Sequence, residues 1–434
     1  MRFVFLGLML VLVFGKVRYL QDALGFGGEV VNIPPKIILI VILFGIFLRA
    51  IHGKRLINFS LTEKLMFVAF GLFIACGSLS SVFSDEHMKL YPQIMDVVNY
   101  SSFILGFYGT ICYFQDTPKE RLKEWLEPTI FFVKGLTVAT LLFWFLEQAF
   151  GLGMTSHDAA HRLFPPYEFI YYHGTYLITV VAFSFLLLYK ERNLYTFILC
   201  ALCLLSARDR GYMFLLLFIA FAIVYRSNTF NIKLFIPLLF LIGIIAGAIS
   251  YQKILYYTDD DSIRATFYVV ATMLALKYNP LGAGWCTIGT WNAYRYNSPV
   301  FSDYYYYFLW ADERDSVYGD SGFSSIIGQT GFAGTICYLL FMILLFFAIS
   351  QKFTGNTKLR MVVSCWLIFN IVSFFISDSM VSNFSIISSF FMGILYLSQK
   401  EDPDEPKAPM QGDDGKTVPE LENMAEGESA SDEN

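Results

Sequence analysis

Residues 322–349 read GFSSIIGQTGFAGTICYLLFMILLFFAI and contain no charged side chain. An α-helix needs about 20 apolar residues to cross the hydrocarbon core of a bilayer. This stretch therefore predicts a membrane-spanning helix. Apolar runs of the same kind recur from Arg2 to about Ser398, joined mostly by short polar segments. The chain is predicted to be an all-α polytopic membrane protein.

The composition indicates the same class. Hydrophobic residues make up 56% of the chain and charged residues only 15%, whereas soluble domains carry about 25% charge. No hydrophilic block large enough to fold alone precedes the tail, so one membrane domain over 1–398 is expected. About twelve spans are predicted, at 3–15, 35–51, 65–83, 97–114, 129–150, 172–189, 194–207, 211–226, 233–250, 322–349, 361–377 and 382–398.

The Lys and Arg residues of the short loops predict the orientation, because cytoplasmic loops are enriched in them. One alternate set of loops holds fourteen of these residues, from Arg49 to Arg360. The other set holds seven, namely Lys16, Arg18, Lys36, Lys89, Arg162, Arg208 and Arg210. The first set is expected to be cytoplasmic, together with both termini.

The C-terminal segment 399–434 is polar and acidic, and it ends on Ser431-Asp-Glu-Asn434. Such a segment cannot bury enough apolar surface to offset the entropy of ordering it. It is expected to be a disordered cytoplasmic tail. Its negative charge also argues against a nucleic-acid partner.

One long water-facing segment, 251–320, interrupts the series of spans and is predicted to lie on the periplasmic side. Long loops of this kind are usually functional or disordered. Within it Ile263, Phe267, Val270, Ala271 and Leu274 recur at helical spacing. We therefore expect an amphipathic helix over about 262–278, lying near the membrane surface.

Arg208 and Arg210 are unusual because they occur in a tight external loop, Ser206-Ala-Arg-Asp-Arg-Gly-Tyr212. Two interpretations stay open. The side chains could reach lipid phosphates, with Asp209 as a partner. Alternatively they bind an anionic ligand, because the planar guanidinium group holds phosphate oxygens in bidentate fashion.

Aromatic residues are concentrated in the long loop, where twelve of the 27 tyrosines lie between Tyr251 and Tyr318. Interfacial anchoring favours Tyr and Trp in any membrane protein. Stacking on sugars is the alternative. The candidate ligand-binding rings are Trp285, Tyr304, Tyr305 and Tyr318.

Asp320 precedes the apolar run 322–349, at the external end of the predicted span. An aspartate in this place caps the helix by accepting from free backbone N–H groups. The alternative is a general base or positioning carboxylate for a hydroxyl nucleophile. Both interpretations predict that Asp320 lies at the external surface.

These features, in this order, resemble the O-antigen polymerase and O-antigen ligase superfamily of bacterial surface-polysaccharide enzymes. The matching residues are Arg210-Gly211 at the start of a span, Arg264 with Asn279-Pro-Leu-Gly-Ala-Gly284 in the large loop, and Asp320-Ser321 before a Gly-rich helix. Motif support covers roughly 195–350. The resemblance implies the membrane-embedded C-type glycosyltransferase fold, located in the bacterial inner membrane.

The resemblance also implies the chemistry. The donor is a glycan on undecaprenyl diphosphate, with no nucleotide, metal or other cofactor, and Arg210 and Arg264 hold the diphosphate. Arg208 and Arg314 assist, while Trp285 and the tyrosines line the glycan path. Membrane lipids and a chain-length regulator protein are the further partners.

The acceptor decides between the branches of this superfamily. In the ligase branch a histidine begins the span after the large loop, whereas this chain has Asp320 there. The polymerase is therefore expected, with a lipid-linked repeat unit as acceptor. The alternatives are an O-antigen ligase, a protein O-glycosyltransferase, and a transporter of lipid-linked glycan or solute. Transporters usually contain repeated halves, and the sequence shows none.

Overall fold

A computed structural model describes residues 1–15, 17, 33–51, 58–155, 165–171, 173–225, 237, 263–308, 322–375, 380 and 382–399. Arg264 and Tyr305 are described as members of helices, without their side chains. The predicted span 233–250, apart from residue 237, lies outside the described residues. So do Arg314, Tyr318, Asp320 and the acidic tail from Lys400 onward.

The described residues form helices joined by loops, with only two isolated β-bridges, Val17 to Tyr171 and Thr155 to Tyr167. The prediction of an all-α protein is confirmed for this part of the chain. The helices are α1 (Arg2–Phe14), α2 (Ile33–Ile51), α3 (Leu61–Phe83), α4 (Leu90–Phe114), α5 (Lys119–Phe150), α6 (Gly174–Leu187), α7 (Asn193–Leu205), α8 (Asp209–Val224), α9 (Ile263–Lys277), α10 (Trp291–Arg295), α11 (Pro299–Asp303), α12 (Tyr305–Phe308), α13 (Gly322–Lys352), α14 (Thr357–Phe374) and α15 (Asn383–Leu397).

Six of these helices, α2, α3, α4, α5, α13 and α14, are long and apolar enough to cross a membrane. Their ends follow local sequence signals. Ser60 and Glu63 form a reciprocal capping box at the start of α3. Gly151 ends α5 in the left-handed conformation. The chain is therefore a helical membrane protein.

The long helices α3 and α13 pack antiparallel, as the order of their contacts indicates. The rings of Phe73 and Tyr338 are 4.7 Å apart, and those of Phe70 and Phe341 are 5.0 Å apart. At the far end Lys352 Nζ lies 2.8 Å from Glu63 Oε1, where the Glu63 side chain is buried and that of Lys352 is 11% exposed. This ion pair marks one end of the bundle.

The other end, which we call the loop end, carries the chain segments 84–89, 165–171, 206–208 and 278–308. The C-termini of α3 and α14 and the N-termini of α4 and α8 meet there. The predicted amphipathic helix also begins in this region, as α9. Its predicted apolar positions Phe267, Val270, Ala271 and Leu274 are all fully buried. Its location at a membrane surface stays a prediction.

Helix α13 is broken at Gly331, which has φ 65° and ψ −167°. Before the break, Ser325 Oγ lies 2.7 Å from Tyr100 OH, and Gln329 Nε2 lies 3.2 Å from Asp96 Oδ2. After the break, Tyr338 contacts Tyr100 and Lys352 lies over the Tyr108 ring. The two parts of α13 therefore follow opposite directions along α4.

The sequence predicts a single span from residue 322 onward, and the structure divides it. The apolar pattern does not locate the break, because glycine is tolerated inside a helical run at a cost of about 1 kcal/mol and the run contains several glycines. The dihedral angles of Gly331 lie in a region that is essentially restricted to glycine.

Replacing Gly331 by alanine is expected to destabilise the protein by more than about 2 kcal/mol. A Cβ there would lie 2.2 Å from the carbonyl carbon of Leu281 and would require a disfavoured backbone conformation. Thermal unfolding of the purified protein in detergent measures the effect as a lower melting temperature.

Gly135→Ala is the matched control, because a Cβ at Gly135 in α5 meets no atom within 4 Å. It should leave stability unchanged or raise it by up to about 1 kcal/mol. Equal melting temperatures for the two variants would contradict the role of Gly331.

Candidate functional site

Arg210 lies in the first turn of α8, directly after the tight turn at 206–208. The residue after Arg210 is Gly211, and the neighbouring end of α7 leaves no space for a larger side chain there. A Cβ at Gly211 would lie 2.5 Å from both the carbonyl oxygen of Cys203 and Oγ of Ser206. The close approach of α7 and α8 therefore requires glycine, and it fixes where the first turn of α8 begins.

Arg208, two residues earlier, is buried and ion-paired. Its Nη2 donates to Oε1 of Glu168 at 2.8 Å, and the side chains are only 10% and 12% exposed. The sequence predicts a lipid phosphate with Asp209, or an anionic ligand, as the partner of Arg208. It does not predict Glu168, because the two residues are 40 positions apart and no local pattern joins them.

Helices α8 and α9 both contact the C-terminal part of α14. The ring of Phe214, one turn after Arg210, lies 5.1 Å from that of Phe369. On α9, Tyr268 OH donates to the carbonyl oxygen of Phe375 at 2.6 Å. Arg264 precedes Tyr268 by one helical turn, about 6 Å. The two predicted diphosphate-binding positions therefore occur on helices that both contact the C-terminal part of α14.

The segment Pro280–Gly284 fills the break in α13. The N–H groups of Ala283 and Gly284 donate to the carbonyls of Gly328 and Gln329 at 2.8 and 2.9 Å. In return, the N–H of Ala333 donates to the carbonyl of Pro280 at 3.1 Å. A helix break leaves backbone groups without intrahelical partners. This segment supplies several of those partners.

The same segment is fixed to the C-terminal turns of α3 by three serines. Ser80 Oγ accepts from the Gly282 N–H at 3.0 Å, and Ser81 Oγ accepts from the Trp285 N–H at 2.8 Å. Ser84 Oγ donates to the carbonyl of Ala283 at 2.7 Å. The Asn279-Pro-Leu-Gly-Ala-Gly284 motif is therefore packed between α3 and the break in α13.

A buried aspartate, Asp96 in α4, fixes the next part of the loop. Its carboxylate accepts from Thr290 Oγ1 at 2.9 Å, Asn292 Nδ2 at 2.6 Å and Gln329 Nε2 at 3.2 Å. Asp96 is completely buried. It connects α4, the loop and the short first part of α13. A charged residue among apolar helices is the signal that could have identified it.

The aromatic residues of the loop occupy two different environments. Trp285 is 2% exposed, and its ring packs 5.3 Å from that of Phe73 and 5.5 Å from that of Tyr100. Tyr304 is half-buried and Tyr307 is 38% exposed. The contacts of Trp285 give it a packing role, and its role in glycan binding stays a prediction. Tyr304 lies closer to the protein surface.

Glu86 forms a second buried acidic contact at the loop end. Its Oε1 accepts from Lys277 Nζ at 3.0 Å and from Tyr278 OH at 3.3 Å. The neighbouring Tyr278 and Glu86 raise the pKa of Lys277. Nearby, burial raises the pKa of Tyr304. Lys277 therefore stays charged at neutral pH, and Tyr304 stays protonated.

Among the residues that the structure describes, no three His, Cys, Asp or Glu side chains come together as metal ligands. Comparison with protein-family models and with curated protein sequences finds no match to this chain.

Asp96→Ala is expected to lower stability by more than about 2 kcal/mol, because Thr290, Asn292 and Gln329 would each lose a buried acceptor. The melting temperature of the purified protein measures this loss. Asp85→Ala is the control, since Asp85 is exposed in the loop between α3 and α4. An Asp96→Ala variant as stable as Asp85→Ala would show that Asp96 does not hold the loop.

Proposed function

We propose that this chain is a membrane glycosyltransferase that polymerises lipid-linked oligosaccharide repeat units. The donor is a glycan on undecaprenyl diphosphate, and the acceptor is the terminal sugar hydroxyl of another lipid-linked unit. The observation that supports this best is that the helices bearing Arg210 and Arg264 both contact the C-terminal part of α14. Two guanidinium groups that bind one ligand would suit a diphosphate, which carries several negative charges.

In the proposed reaction, the acceptor hydroxyl attacks the anomeric carbon of the donor. A new glycosidic C–O bond forms while the bond between that carbon and the phosphate oxygen breaks. The electron pair leaves with undecaprenyl diphosphate, whose charge increases. Arg210 and Arg264 stabilise this charge electrostatically. The hydroxyl proton passes to the Asp320 carboxylate, which also orients the acceptor.

The position of the loop supports glycan binding at this end. The Pro280–Gly284 segment is held between α3 and α13, and Tyr304 and Tyr307 follow it at or near the surface. Irregular backbone at membrane depth is tolerated where it is enclosed by protein or lines a cavity. Broken helices with polar neighbours commonly form ligand sites in membrane proteins.

The finer topology belongs to the same proposal. We propose about twelve spans with the C-type glycosyltransferase fold, both termini in the cytoplasm of a bacterial cell, and the loop end on the periplasmic side of the inner membrane. The excess of Lys and Arg in the opposite set of loops supports this orientation. Membrane lipids and a chain-length regulator protein are the proposed partners.

Arg210→Ala and Arg264→Ala should each lower the rate of polymer formation by about 10²- to 10³-fold, because each removes a donor to the leaving group. Lysine at either position should recover part of the rate, since it keeps the charge without the planar fork. Purified enzyme in liposomes, given lipid-linked repeat units, measures this as the yield and length of the glycan ladder.

Lys89→Ala is the control for this experiment, because Lys89 is an exposed cation at the start of α4, on the same end of the bundle. It should leave the ladder unchanged. Wild-type polymer length and yield from either arginine variant would refute the assignment.

The acceptor is tested separately, with lipid-linked repeat units as the only substrate. A polymerase should release one undecaprenyl diphosphate for each repeat unit added, and the products should differ by one unit. A ligase would give no ladder without a different acceptor. A transporter would move the lipid-linked unit across the liposome membrane and release no diphosphate carrier.

A further inference from the structure

Arg208 is fixed through both its main chain and its side chain. Its carbonyl oxygen accepts from the N–H groups of Gly211 and Tyr212, at 2.8 and 3.2 Å, and so holds the first turn of α8. Its guanidinium group donates to Glu168 at 2.8 Å. Arg210 belongs to the turn that runs from Arg208 to Gly211 and Tyr212. Any movement of Arg208 therefore moves the turn from which Arg210 extends.

Glu168 is itself held firmly. Its N–H donates to the carbonyl of Met154 at 2.9 Å, and the N–H of the preceding Tyr167 donates to the carbonyl of Leu205 at 3.3 Å. The second bond ties the 165–171 segment to the end of α7. Glu168 therefore provides a fixed point beside the start of α8.

The Arg208 side chain is sterically restricted to few conformations. It lies across the start of α6, where a Cβ at Gly174 would be 3.1 Å from Cγ and 3.2 Å from Nε of Arg208. A buried ion pair is sensitive to the loss of one partner, because the other charge is then left without compensation. Glu168 and Arg208 thus form a rigid connection between the 165–171 segment and α8.

The ion pair with Glu168 gives Arg208 an indirect role. A carboxylate 2.8 Å from a guanidinium group cancels most of its field, and Glu168 would repel an anion that approached Arg208. We infer that Glu168 is a positioning residue, which acts through its ion pair with Arg208 to hold Arg210 toward the diphosphate of the substrate. This inference rests on the proposed function, and it gives Arg208 an indirect part in substrate binding.

A double-mutant cycle between Glu168 and Arg210 tests the inference. Glu168→Ala should lower the rate of ladder formation by about 10- to 100-fold, the size of effect that a small misplacement of a catalytic group produces. The Glu168→Ala/Arg210→Ala variant should be no slower than Arg210→Ala by more than about twofold, because independent sites would instead multiply their losses.

Lys352→Ala is the matched control for the cycle. It removes one partner of an equally short buried ion pair, Lys352 with Glu63, at the opposite end of the bundle. Any loss of rate that it causes should multiply with the loss caused by Arg210→Ala. If the losses from Glu168→Ala and Arg210→Ala also multiply, the positioning role is overturned.

Charge exchange separates positioning from direct contact. The Glu168→Arg/Arg208→Glu variant restores the ion pair in reverse, so it should recover activity to within about tenfold of wild type, whereas Arg208→Glu alone should be inactive. An exchanged variant that folds, by its melting temperature, yet stays as inactive as Arg208→Glu would assign Arg208 to the substrate. If the exchanged variant does not fold, the cycle with Arg210 decides the question.

The two proposals fail in different ways. An Arg210→Ala variant with a wild-type ladder overturns the proposed function, whatever the effect of Glu168→Ala. A slow Arg210→Ala variant whose loss multiplies with that of Glu168→Ala overturns only the positioning role. Full activity in Glu168→Ala also overturns only the positioning role.

Discussion

The backbone groups set free at Gly331 need partners within the protein, and the arrangement of the loop end depends on how they are satisfied. An unpaired amide or carbonyl is costly where water is absent. Pro280, Ala283 and Gly284 supply hydrogen bonds on both sides of the break. These hydrogen bonds hold a loop that is distant in sequence within the helix bundle. They fix the position of the Asn279-Pro-Leu-Gly-Ala-Gly284 motif.

The loop is kept there by small and polar residues on the neighbouring helices. The hydroxyls of Ser80, Ser81 and Ser84 bond to its backbone. Glycine at 282 and 284 permits the approach, since a Cβ at either position would come within 2.7 Å of neighbouring backbone atoms. Asp96 then holds the following residues from α4.

The sequence predicts much of the helical framework, because apolar length and periodicity are local properties. The predicted span 65–83 falls within Leu61–Phe83, and the predicted helix over 262–278 is observed at Ile263–Lys277 with its apolar face buried. The ends are less well predicted, since capping residues such as Ser60 extend helices beyond their apolar part.

The connections that build the candidate site could not be predicted in the same way. Thr290, Asn292 and Gln329 are 194, 196 and 233 positions from Asp96. Glu168 and Arg208 pair across 40 positions, between two loops. A single sequence contains no periodic signal for such pairs. The Arg210-Gly211 motif was visible in the sequence, but the contact that requires its glycine was not.

The break in α13 also bears on the thermodynamics of ligand capture. Its backbone groups are engaged by Pro280–Gly284 of the same chain, so this part of the bundle has a defined conformation. A molecule that binds against it would lose little free energy to ordering the polypeptide. Such preorganisation favours binding to a site that is already formed. It disfavours binding in which the loop must fold around its ligand.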